Sequence, residues 1–102
     1  MQKFAYVIYK ITFPNGKIYI GKDIGSKGHS LNYFGSWSNE LVEKEFTKDE
    51  LKNFSLRKEI IFESEDKNEV SLMEGRFIIE FQSNNPGIGY NQTHRSNKNK
   101  KI

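Results

Sequence analysis

Cysteine is absent from this chain of 102 residues, so neither a disulfide nor a thiolate metal site can hold it together. That absence fits a reducing compartment. Proline is almost absent as well, with only Pro14 and Pro86, and each stands beside Asn or Gly where a turn is expected. Hydrophobic residues make up 35 %, and no apolar run approaches the roughly 20 residues that cross a bilayer. The N-terminus lacks a signal-peptide pattern. Asn91-Gln92-Thr93 matches a glycosylation sequon, but without a secretion signal it reads as coincidence. Together these absences predict an intracellular, cytoplasmic protein with no membrane partner.

Aromatic residues, by contrast, reach 14 %, so the core is expected to lean on Phe, Tyr and Ile. The length suits one domain with a single modest core. The net charge of +3 is unevenly placed. Residues 1–37 hold five Lys and one Asp, residues 38–85 hold seven basic and twelve acidic groups, and residues 86–102 hold Arg95, Lys98, Lys100 and Lys101. Two basic ends around an acidic middle suit a polyanion on one side of the molecule.

Val7-Ile8-Tyr9 and Tyr19-Ile20-Gly21 flank Phe13-Pro14-Asn15-Gly16-Lys17 and read as a β-hairpin over 5–13 and 17–22. Proline presets the first turn position, which favours a three-residue loop with Gly16 left-handed. In that register Phe13 pairs with Lys17, Ile11 with Tyr19 and Tyr9 with Gly21, and both tyrosines share one face. A two-residue Asn-Gly loop would place them on opposite faces.

Residues 23–36 are rich in Gly, Ser and polar residues and predict a long loop, of the kind that usually carries function. Ser36 or Ser38 can cap a short helix over 39–46, with Leu41, Val42 and Phe46 inward. Thr47 and Glu50 have capping-box spacing for another helical turn to Lys52. Phe54 to Phe62 reads as a third strand, with Phe54, Leu56, Ile60 and Phe62 on one side and Arg57 on the other. Asp66 and Glu69 form a second capping box before a helix over 67–82, whose core face is Val70, Phe77, Ile78 and Phe81. The predicted fold class is α+β: a small three-stranded antiparallel sheet flanked by helices, residues 1–92, followed by a basic, flexible tail over 93–102.

Glu74 breaks this pattern. It lies four residues after Val70 and four before Ile78, inside the apolar stripe. A carboxylate there needs a partner, either Arg57 or a hairpin lysine, or else a metal ion. Tyr33, Phe34 and Trp37 form an aromatic group beside the basic hairpin. Phe34 reads as core, while Tyr33 and Trp37 could also stack on bases.

The two hairpin tripeptides resemble the signature of the GIY-YIG nuclease family, with Val7 in place of the first Gly and Tyr19-Ile20-Gly21 intact. Glu74, in Leu72-Met73-Glu74-Gly75-Arg76, looks like the family's metal-binding Glu, and Gly89-Tyr90-Asn91 resembles its terminal Gly-Tyr-Asn. Tyr-Ile-Gly followed directly by Lys22, with Asn32-Tyr33-Phe34-Gly35-Ser36 further on, looks like a phage-type branch. The Lys/Asn/Ile-rich composition likewise points to an AT-rich genome such as a phage's.

The resemblance implies a metal-dependent DNA endonuclease in which Tyr9 is the base or orients the water and Tyr19 contacts the phosphate or that water. Glu74 would hold Mg²⁺ or Mn²⁺, with Gly21 and Asn91 as active-site support. The family's Arg after the second motif is missing. His29 stands at that distance, and Lys22, Lys27 and Arg57 are the alternative cations, with Lys27, Tyr33 and Arg57 as substrate contacts. A small domain of this kind would cut a duplex as a homodimer or act as a nickase. The missing Arg also leaves open a nucleic-acid-binding module that has lost the chemistry. The exposed aromatics permit RNA or single-stranded DNA as substrate.

Overall fold

The computed structural model describes residues 6–24 and 37–92. Its chain order is β1 (Tyr6–Thr12), β2 (Ile18–Asp23), α1 (Asn39–Glu43), α2 (Lys48–Lys52), β3 (Arg57–Ser64) and α3 (Lys67–Phe81). The strands form one antiparallel sheet in the order β2-β1-β3, so the fold is the expected small α+β domain. No helix among the described residues is long and apolar enough to cross a membrane. His29, Lys27, Tyr33 and Phe34 lie outside the described residues, as do most of the 23–36 loop and the 93–102 tail.

The hairpin has the register that the proline favours. Tyr9 pairs with Gly21 and Ile11 with Tyr19. The Phe13 amide donates to Lys17 O at 2.9 Å, and the Gly16 amide to Phe13 O at 2.9 Å. Gly16 takes φ +88°, the left-handed position that glycine occupies without a Cβ penalty. Asn15 Oδ1 adds a further bond by accepting from the Lys17 amide at 3.0 Å.

Alternation divides the core into two clusters, one on each face of the sheet. Val7, Tyr9, Ile11 and Phe13 are buried on one face with Val42 and Tyr90, and Trp37, Leu41, Phe46, Phe54, Leu56 and Ile60 pack around them. Trp37 meets Phe13 edge-on at 5.1 Å and Tyr19 at 5.4 Å between ring centroids, so in this structure it packs with the core. On the other face Ile8 and Ile20 meet Val70 and Ile78 of α3.

Helix starts follow the caps. Ser38 Oγ accepts from the Leu41 amide at 3.2 Å, and Thr47 and Glu50 complete the capping box of α2. Asp66 caps α3 by accepting from the Asn68 amide at 2.9 Å. Its reciprocal bond is indirect. The Asp66 amide donates to Ser64 Oγ, which in turn donates to Glu69 at 2.6 Å.

Two expectations need correction. Strand β3 runs Arg57–Ser64 rather than from Phe54, and it carries a bulge: Ile8 pairs with Phe62 but Tyr9 with Ile60, leaving Ile61 as the extra residue. The bulge reverses alternation, so Phe62 joins the α3 side while Leu56 and Ile60 stay with Tyr9. Phe81 also departs from the expected core face of α3. It is 37 % exposed, with the Lys10 ammonium 5.3 Å from its ring centroid.

Candidate active site at the β2 edge

Tyr9 and Tyr19 share a face, with ring centroids 6.5 Å apart. Gly21 lies directly opposite Tyr9 and lets the phenol lean across to β2. A Cβ on Gly21 would stand 2.5 Å from Tyr9 Cζ, with the phenol oxygen equally close. The Tyr9 hydroxyl is thereby carried from the central strand toward the outer strand. Tyr9 itself is only 1 % exposed, whereas Tyr19 is half-buried.

Lys22 follows Gly21 and so points to the opposite face, where α3 packs. Its ammonium donates to Ser71 Oγ at 2.9 Å and lies 4.0 Å from the Glu74 carboxylate. Of the structural partners expected for Glu74, the hairpin lysine is therefore the neighbour present, at a separation beyond hydrogen-bond reach. Glu74 sits at the margin of the apolar stripe, with its side chain 21 % exposed. Because β2 is an outer strand, its edge is where the tyrosine face and the Lys22–Glu74 face meet.

Asn91 fixes that edge. Its amide Nδ2 donates to Ile20 O and its Oδ1 accepts from the Ile20 amide, both at 2.8 Å. The side chain thus pairs with β2 as another strand would, between Tyr19 and Gly21. The segment leading to it runs beside β2, with Ile18 bridging Gly89, the Ile18 amide donating to Ile88 O at 3.1 Å and the Tyr90 amide to Ile18 O at 2.9 Å. Tyr90 anchors this segment to the hairpin turn. Its hydroxyl donates to Glu45 at 3.0 Å and accepts from Asn15 at 2.9 Å, while Lys17 reaches the same carboxylate at 2.6 Å. Lys17 and Tyr90 hold the Glu45 carboxyl below its ordinary range, and burial raises the Tyr90 phenol above its own.

Arg57 is not brought to this edge. It stands on β3 at the far side of the sheet, on the face away from Tyr9, 3.5 Å from Glu59, which also takes Lys10 at 3.4 Å. The next residue, Lys58, is on the tyrosine face, and its ammonium lies 4.7 Å from the Tyr9 ring centroid. Sequence reasoning missed it, although Leu56-Lys58-Ile60 alternation already places it with Tyr9.

Among the described residues no three acidic or histidine side chains gather as a metal cage. Magnesium needs no such cage: it keeps several waters and commonly takes one or two carboxylates. A single, partly exposed Glu74 on α3 beside Lys22 fits an ion of that kind. Comparison of the chain with family models, curated proteins and solved structures gives no match.

Proposed function

We propose that the protein is a metal-dependent endonuclease that hydrolyses phosphodiester bonds in DNA, with its active site at the β2 edge. The reading is supported by two pairs carried by neighbouring residues of the hairpin, Tyr9–Tyr19 on one face of the sheet and Lys22–Glu74 on the other, with Asn91 bonded twice to Ile20 between Tyr19 and Gly21. The GIY-YIG resemblance names the same residues.

Glu74 would hold the Mg²⁺ or Mn²⁺ ion, which when bound polarises the scissile phosphate and steadies the leaving oxygen. Tyr9 accepts a proton from the attacking water or orients it, as the new P–O bond forms and the bond to the leaving oxygen breaks. Tyr19, the more accessible phenol, hydrogen-bonds the phosphate or that water. Lys22 places a cation beside the edge and offsets the charge that grows on the phosphoryl oxygens. A free phenol titrates at about 10, so base catalysis by Tyr9 needs a positive neighbour.

The test is cleavage of plasmid and single-stranded DNA with Mg²⁺, Mn²⁺ or EDTA. Cutting with either metal and none with EDTA is the expected result. A second reading, a nucleic-acid-binding module without chemistry, draws on the 1 % exposure of Tyr9. Salt-sensitive DNA binding with no cutting under either metal would favour it.

A further inference from the structure

Lys58 occupies a costly position. It pairs with Ile11 across the sheet, on the face lined by Val7, Tyr9 and Phe13, and leans back along β3 until its ammonium lies over the Tyr9 ring. A charge among apolar groups is retained against its desolvation cost only where something answers it. Groups that answer it include the π face of Tyr9 and the charge of the buried Asp23 carboxylate. We propose that Lys58 is a positioning residue that acts through Tyr9: its ammonium over the ring favours the phenolate, which is the form able to take a proton from water.

The inference rests on the nuclease reading for its purpose, but not for its geometry. Deprotonation makes the ring more electron-rich, so a cation on its face binds the phenolate more strongly than the phenol. The other groups on this face are named readily. Tyr19 and Asp23 stand on β2, and Glu63 lies on β3 opposite Val7, at the exposed end of the sheet. Tyr90 and its partner Glu45 lie toward the hairpin turn. Burial lowers the Lys58 pKa, and the Asp23 charge counters this by favouring the ammonium, while the same negative charge opposes the phenolate of Tyr9 in part. Lys58 also answers the absence of an arginine after β2, since it brings a cation to the tyrosine from the other neighbouring strand.

The experiment is a phenolate absorbance titration of the wild type, Tyr9→Phe, Lys58→Met and Lys58→Arg, with thermal melts to show that each is folded. Tyr9→Phe identifies the Tyr9 transition by its loss. Burial pushes the Tyr9 midpoint up and Lys58 draws it down, so the midpoint should rise further, by about one unit, in Lys58→Met and return in Lys58→Arg. In cleavage assays the acid limb of the pH–rate profile should move upward by the same amount in Lys58→Met, giving roughly tenfold slower cutting at neutral pH. A Tyr9 midpoint unmoved by Lys58→Met in a folded protein overturns the proposal, even where cleavage persists. A moved midpoint upholds it, even where no variant and no wild type cuts DNA, in which case the nuclease reading alone fails.

Discussion

Gly21 and Asn91 show how single residues shape the β2 edge. An alanine at 21 would drive its methyl into the Tyr9 phenol, 2.5 Å from Cζ, so either the ring or the strand must move. Overpacking of this kind costs about 1–3 kcal/mol, and Gly21→Ala should lower the melting temperature accordingly. Asn91→Ala removes both bonds to Ile20, at a cost of about 1–3 kcal/mol, and should speed hydrogen exchange at the Ile20 amide in particular. Unchanged exchange there would mean that the edge is held by something else. Glu45 carries a pH dependence. Its carboxyl is held below the ordinary range by Lys17 and Tyr90, so it adds stability above the unfolded carboxylate pKa and loses it as pH falls through the lower folded value. In acid denaturation, Glu45→Gln should therefore flatten the stability curve across that window. Tyr9, Tyr19 and Gly21 were legible on one hairpin because its register follows from Pro-Asn-Gly, whereas Asn91 was legible only through the resemblance of Gly89-Tyr90-Asn91. Lys58 was not, because the neighbouring Arg57 carries the more specific phosphate-binding group, and only the strand's register shows that Arg57 faces away from Tyr9.

At the scale of elements, caps and turns were readable and irregularities were not. The capping box at Thr47–Glu50 and the Asp66 cap start their helices where the spacing predicts, since a short polar side chain satisfies orphan amides by local geometry alone. Asp66→Ala should destabilise the domain by ~1 kcal/mol through fraying of the first turn of α3, measured by chemical denaturation with an unchanged m value. The bulge at Ile61 left no local signature. Ile60, Ile61 and Phe62 are all apolar, and which of them faces α3 is decided by packing against Ile8 and Tyr9. Strand β3 starts at Arg57 for a similar reason: Phe54 and Leu56 pack on the tyrosine face without joining the ladder.

For the molecule as a whole, the sheet separates the tyrosines from the carboxylate, and the proposed function requires that groups from both faces reach one substrate around the outer strand β2. Such an arrangement could not be read from spacing, because spacing gives the face of each residue but not which strand lies outermost. Binding to DNA should weaken as salt rises, since lysines of the hairpin would displace counterions from phosphates. The central claim is that Tyr9 on one face and Glu74 on the other act on the same phosphodiester. Single-turnover cleavage of one DNA substrate by Tyr9→Phe and Glu74→Ala, with DNA affinity measured alongside, tests it most directly. The account predicts that each substitution abolishes cutting while affinity in Glu74→Ala stays close to the wild type. Cleavage surviving either change in a folded protein would contradict it.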